Sequence, residues 1–207
     1  MQALKSEIRG KTPPESPPSP AAMQEPPIFT SAHSALMFAF NFSHGTLKKG
    51  FLAKALPPSA PGKGLAGLDG AAQAGMILLE LSQLTRVRRE IVTGRFAPQS
   101  KPCTCRAACC SGVRPTSDWS DAIHWLTDYV LGAGLTGNIS HYRLRLAVVG
   151  RYFGLRESFV ELADRLGVHR ATVSELNKRV VEHLRGEERP AMYELDDRLK
   201  KAGIVAS

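Results

Sequence analysis

Long apolar runs are missing from this chain. No stretch reaches the roughly 18 residues that a membrane-spanning helix requires, which excludes an ordinary transmembrane helix. The apolar run ALMFAF at 35–40 is short and its upstream Lys and Arg lie far away, so a signal peptide is not expected and the cytoplasm is the expected compartment. Several catalytic signatures are missing too. GKGLAG is no phosphate loop, because GxxxxGKS or GxxxxGKT is absent and Lys63 has no hydroxyl residue after it. A zinc deaminase needs an HxE beside a PCxxC pair, whereas no HxE occurs and PCTC is too short. A recombinase needs a Ser or Tyr nucleophile beside an arginine cluster; Arg86, Arg88 and Arg89 supply the cluster without the nucleophile motif. An enzyme is therefore not expected. No heptad run is long enough for a zipper.

What is present is a basic chain of 207 residues with net charge +8 and a pI near 9.6, which suits a polyanionic partner. Its length fits one moderate domain or two small ones. Residues 1–27 are crowded with proline and poor in large apolar side chains, so they cannot bury enough surface to offset their ordering entropy and read as a disordered tail. Met23 and Met37 are alternative starts, since nothing before Ile28 looks structural. Residues 28–70 form a poorly defined segment, strand or helix, with the Pro/Gly linker PPSAPGKG at 57–64.

The rest predicts helices, so the expected fold class is mainly α. One long helix should follow Gly70, with Ile77, Leu81, Leu84, Val87 and Ile91 along one face and Thr93–Gly94 as its end. Ser117 or Asp118 should cap another, carrying Trp119, Ala122, Ile123, Leu126 and Val130. Ser140 should open a third, with Tyr142, Leu146, Val149 and Phe153 inward, and Pro190 should start a last one at a first-turn position. These give a helical region with a cysteine cluster at 71–139 and a separate domain at 140–207.

The most informative stretch is 158–184. Ser158 and Glu161 form a capping box, Leu162, Ala163 and Leu166 a buried stripe, and Gly167 a left-handed stop with Val168 packing beneath it. A second helix follows, with Val173, Leu176, Val180 and Leu184 at helical spacing and a polar, cationic first half. LADRLGVHRATVS, with Ala163, Gly167 and Val173 four and six residues apart, resembles the DNA-binding helix-turn-helix. With the preceding SHYRLRLAVVGRYFG, it is similar to region 4 of sigma factors and to regulators of that architecture. The resemblance implies that the second helix lies in a major groove of double-stranded DNA, presenting His169, Arg170, Thr172, Ser174, Glu175, Lys178 and Arg179.

The chain's four cysteines, Cys103, Cys105, Cys109 and Cys110, fall within eight residues. In a reducing compartment such a cluster predicts a metal site, and four thiolates suit tetrahedral zinc; His124 is a substitute ligand, and a set of redox-active thiols is the alternative. From 84 to 115, seven Lys or Arg face only Glu90, a net of +6; from Ser140 onward thirteen face ten, a net of +3. Arg86, Arg88, Arg89 and Arg106 are therefore expected to touch DNA phosphate or an acidic surface of RNA polymerase, unless they are a solvated basic face. A basic, cysteine-clustered middle region joined to such a C-terminal motif is similar to phage Q-type late-gene antiterminators, which implies a regulator acting with RNA polymerase. A plasmid or prophage repressor or activator uses the same residues without polymerase, and a protein-interaction module is the contrasting class.

Overall fold

The computed structural model describes residues 27–45, 67–105, 107, 108, 110–137, 139 and 141–206. The expected Pro-rich tail up to residue 26, the linker at 57–64 and Ser140 lie outside the described residues. The chain is mainly helical, with seven helices and one two-stranded hairpin among the described residues. The helices are α1 (Ala32–Ser43), α2 (Gly67–Ser82), α3 (Arg86–Phe96), α4 (Ser117–Gly132), α5 (Tyr142–Tyr152), α6 (Phe159–Leu166) and α7 (Arg170–Lys201). The hairpin pairs β1 (Ser100–Pro102) with β2 (Val113–Pro115), antiparallel.

Of the early segment left open between strand and helix, the described part, up to residue 45, forms a helix, and residues 46–56 lie outside the described residues. Ser31 and Ser34 satisfy each other's backbone N–H groups at 3.2 Å, which starts α1. Its Ala35, Leu36, Phe38, Ala39 and Phe40 are all buried, more than one face of a surface helix provides. Just upstream, fully buried Phe29 pairs with Val205, its N–H donating to the Ile204 carbonyl and its carbonyl accepting from Ala206, both at 3.1 Å. The two ends of the described chain are thereby joined.

The single helix expected after Gly70 is two. It breaks at 83–85, where Gln83 and Leu84 close tight turns onto Glu80 and Leu81, and Thr85 turns to extended backbone. The break lets Leu84 stay buried while α3 takes a new direction; Val87, expected inward, is only half-buried. Nor does Thr93–Gly94 end α3. Gly94 is buried mid-helix because a Cβ there would lie 3.0 Å from the Phe153 ring, and the helix stops at Ala97, whose extended backbone is the conformation favoured before proline.

The α4 stripe is buried as expected, but its N-cap is Thr116, whose hydroxyl donates to the Pro98 carbonyl instead of capping. In α5, Leu144 and Val148 carry the burial with Val149 and Phe153, whereas Tyr142 is 38% exposed, because its hydroxyl is held at the surface by His124. The separate helix expected at Pro190 does not exist. Pro190 lies inside α7, which runs on through Lys201. Its ring removes the bond to the carbonyl of Gly186, yet buried Leu184 before it and Ala191, Leu195 and Leu199 after it hold both halves on one line. Residues on both sides of 139/140 belong to one buried cluster that extends from Phe29 to Val205.

Ion pairs fix the crossing of α3 and α7. Arg88 donates to Glu187 at 3.1 Å and Glu194 at 2.9 Å, and Arg95 grips Glu188 with two bonds of 2.8 and 3.0 Å. The Tyr152 hydroxyl also donates to Glu188. Burial alone would raise the Glu188 carboxyl, but the bonds from Arg95 and Tyr152 and the charges of Arg95 and Arg185 outweigh it and hold the group below its ordinary 4.5. A carboxyl depressed in the folded state adds stability above its unfolded pKa and loses it as pH falls through the folded one. Thermal unfolding should therefore show stability declining below about pH 4.5, with a shallower decline in Glu188→Gln. At neutral pH that variant should cost roughly 1–3 kcal/mol; identical acid profiles would refute the assignment.

Candidate nucleic-acid interface and metal centre

At the start of α6, Ser158 Oγ accepts from the Glu161 N–H at 3.1 Å, and the Glu161 carboxylate accepts from the Ser158 N–H at 2.8 Å. These bonds hold the Glu161 carboxyl below its ordinary value, the Ser158 backbone bond most of all. The helix ends at Gly167, whose φ of 64° is the left-handed conformation that glycine adopts without a Cβ penalty, and the Val168 N–H closes back on the Ala163 carbonyl at 3.0 Å. His169 then caps α7, its Nδ1 accepting from the Ala171 N–H at 3.2 Å. Leu162 and Ala163 of α6 and Val173 and Leu176 of α7 are buried in the common core.

This packing turns the other side of α7 outward. His169, Arg170, Ser174, Glu175, Lys178 and Arg179 are exposed and Thr172 is half-buried, all at the N-cap or in the first three turns of α7. Arg179 is tied to Glu175 one turn back. Among the described residues Arg170 and Lys178 make no ion pair, so their charges are uncompensated.

The basic face expected on α3 is placed differently. Arg88 is committed to Glu187 and Glu194. The Arg86 guanidinium lies 4.8 Å over the Trp125 ring and its Nε 3.9 Å from Glu90. Arg89 is 3.5 Å from both Glu90 and the Ser82 carbonyl. Arg106 lies outside the described residues. The local +6 counted along the chain omits the glutamates that α7 lays against α3. Sequence reasoning also passed over Arg151, Arg185 and Arg189, which the fold brings to the flank of α7; reading α7 as one helix through Pro190 would have aligned two of them with Lys178.

The cysteines sit at the tip of the β1–β2 hairpin. Cys103 N–H donates to the Gly112 carbonyl at 2.8 Å, and Gly112, at φ 78°, makes the turn that returns the chain into β2. The Sγ atoms of Cys103, Cys105 and Cys110 lie within 4.8 Å of one another, a spacing that can hold a metal ion. Cys109, expected as the fourth ligand, lies outside the described residues. His124 is not brought to the cluster, because its Nδ1 is 2.6 Å from the Tyr142 hydroxyl on α5. The Ala107 backbone, then the Cys103 and Cys110 thiols, pull the exposed Cys105 thiol below its ordinary value. At Cys110 the Gly112 N–H pulls down, but the Cys105 and Cys103 thiols outweigh it and the group is raised. A thiophilic cation bound here would displace the thiol protons of the cluster.

Behind the tip, Lys101 sits directly opposite Arg114, a like-charge pair that weakens an isolated hairpin, and no acidic residue occurs from 91 to 117. The hairpin base is fastened to the core: Gln99 Nε2 donates to the Phe153 carbonyl at 2.7 Å, and Thr116 to Pro98.

No protein family model matches the chain, and no curated protein matches it significantly.

Titrating reduced, metal-free protein with cadmium should produce thiolate-to-metal charge-transfer absorption that saturates at about one ion per chain, as expected for one tetrahedral site. Replacing Cys105 with Ser should weaken binding at least about tenfold, given the affinity that each thiolate carries. Unchanged binding in that variant would exclude the three-sulfur site.

Proposed function

We propose that the protein is a sequence-specific regulator of transcription that binds double-stranded DNA, with the first turns of α7 in the major groove and α6 crossing above them. One observation carries the reading: a capped helix, a left-handed glycine turn and a second helix whose exposed first turns present Arg170, Ser174 and Lys178 along one side, with neither cation paired internally. Arg170 and Lys178 stand about 12 Å apart along the axis, enough for one to meet a base while the other meets the bordering backbone. The protein acts by binding rather than catalysis, in the cytoplasm, and we assign zinc to the cysteine hairpin, since thiolates in a tetrahedral set suit that ion. Antitermination with RNA polymerase is the particular form we propose, and a repressor or activator without polymerase contact is the second.

Selecting bound duplexes from a random library with the full chain should return one consensus. Arg170→Ala should then lose roughly 1–3 kcal/mol of discrimination at one position. Lys178→Ala should weaken all duplexes alike and flatten the dependence of log affinity on log salt by about one unit. An unenriched library would overturn the reading and leave a protein-interaction module. Co-purification of polymerase with the bound sites separates antiterminator from repressor. Elemental analysis of anaerobically purified protein should find zinc at about one equivalent; another ion, or none, would overturn that assignment.

A further inference from the structure

Arg95, Arg151 and Arg185 line one open pocket of about 350 Å³ between the C-terminal end of α5 and the middle of α7, together with Asn177 and Glu188. Three guanidinium charges there face a single carboxylate, a net of +2. That carboxylate is already taken, since Glu188 accepts both bonds of Arg95 and the Tyr152 hydroxyl. The other two arginines make no hydrogen bond to it, although the Arg185 charge also acts on Glu188. Arg151 is held in place by stacking 4.5 Å over the Phe159 ring, and its Nε is buried with no hydrogen-bond partner among the described residues. Arg185 is exposed and makes no ion pair among them. On the Arg185 side the cationic surface continues through Lys178 and Arg189, against the single carboxylate of Glu182, whereas on the Arg151 side Arg156 is balanced by Glu157 and Glu161.

At 3.6 residues per turn, Arg170, Ser174, Asn177, Lys178, Val181 and Arg185 fall within one sector of α7 about 100° wide. The pocket therefore lies on the same side of the helix as its exposed first turns. Arg185 is about 22 Å along the axis from Arg170, farther than the width of a major groove, about 12 Å. With the first turns across that groove, it falls beyond the edge, where the sugar–phosphate backbone runs. A guanidinium presents paired donors that match phosphate oxygens.

We infer that Arg151 and Arg185 form a backbone-phosphate site that grips DNA beside the bases read by the first turns of α7, a second grip that the sequence reading expected from Arg86, Arg88, Arg89 and Arg106. The inference rests on the DNA-binding reading and deepens it. Its ligand is the phosphodiester of duplex DNA, and its contribution is affinity without sequence preference.

The test uses the full chain, a duplex carrying the selected site, a scrambled duplex of equal length and a salt series. Arg151→Gln combined with Arg185→Gln should weaken binding to both duplexes at least about tenfold and flatten the slope of log affinity against log salt by about two units, one per lost phosphate contact. The ratio between the duplexes should stay constant. Arg185→Gln alone, at an exposed side chain with no ion pair to lose, should show about half the change in slope, and Arg151→Lys should retain most of the wild-type slope. An unchanged slope in the double variant, with wild type binding normally, overturns the phosphate site and leaves the DNA reading standing. A changed ratio between the duplexes overturns it too, because the arginines would then be reading bases. Failure of wild type to bind either duplex overturns the DNA reading and this site with it.

Discussion

The structure depends on the burial of one stripe. Val173, Leu176, Val180, Leu184, Ala191, Leu195 and Leu199 run the length of α7, and each is fully buried. Helices α1, α2, α3, α5 and α6 all pack on this one element. Each large aliphatic contributes about 1.5–3 kcal/mol when removed from water, so the stripe outweighs any surface ion pair, which is worth about 0–1 kcal/mol. The arginine–glutamate bonds from α3 thus orient the crossing more than they hold it. The consequence for function lies on the opposite side: a stripe fixed inward at 173, 176 and 180 fixes 170, 174 and 178 outward.

The same spine explains how the cysteine hairpin can be both solvent-exposed and well placed. Its tip carries the thiols, while its base bonds to the Phe153 carbonyl at the end of α5, five residues before the cap of α6. Metal binding at the tip would order a segment attached near the point where the chain turns toward α6.

Local signals were legible in the sequence and long-range ones were not. The capping box, the glycine turn and the stripes of α4 and early α7 depend on residues three to seven apart, and each lies where spacing put it; of the α6 stripe, Leu162 and Ala163 are buried and Leu166 is half-buried. Pro190 misled because a proline reads locally as a helix start, whereas burial of Leu184, Ala191 and Leu195 on either side carries the helix through it. The break at 83–85 has no glycine or proline to announce it; it follows from the packing of Leu84. Arg86 and Arg88 looked like part of a free basic face because the ring beneath one and the partners of the other come from elsewhere: Trp125 lies on α4, and Glu187 and Glu194 lie about a hundred residues away. The contacts of Arg89, with Glu90 and the Ser82 carbonyl, are local. Arg151 and Arg185 escaped notice for the converse reason, since only the fold brings them together.

The central claim, that the outward side of α7's first turns meets the bases, is tested most directly by site-specific photocrosslinking. A photoreactive residue at Ser174, in the full chain bound to a selected duplex, should crosslink to a base within the selected sequence, whereas the same group at exposed Leu79 on α2 should not. Crosslinks from position 79 to the bases, with none from position 174, would contradict the account.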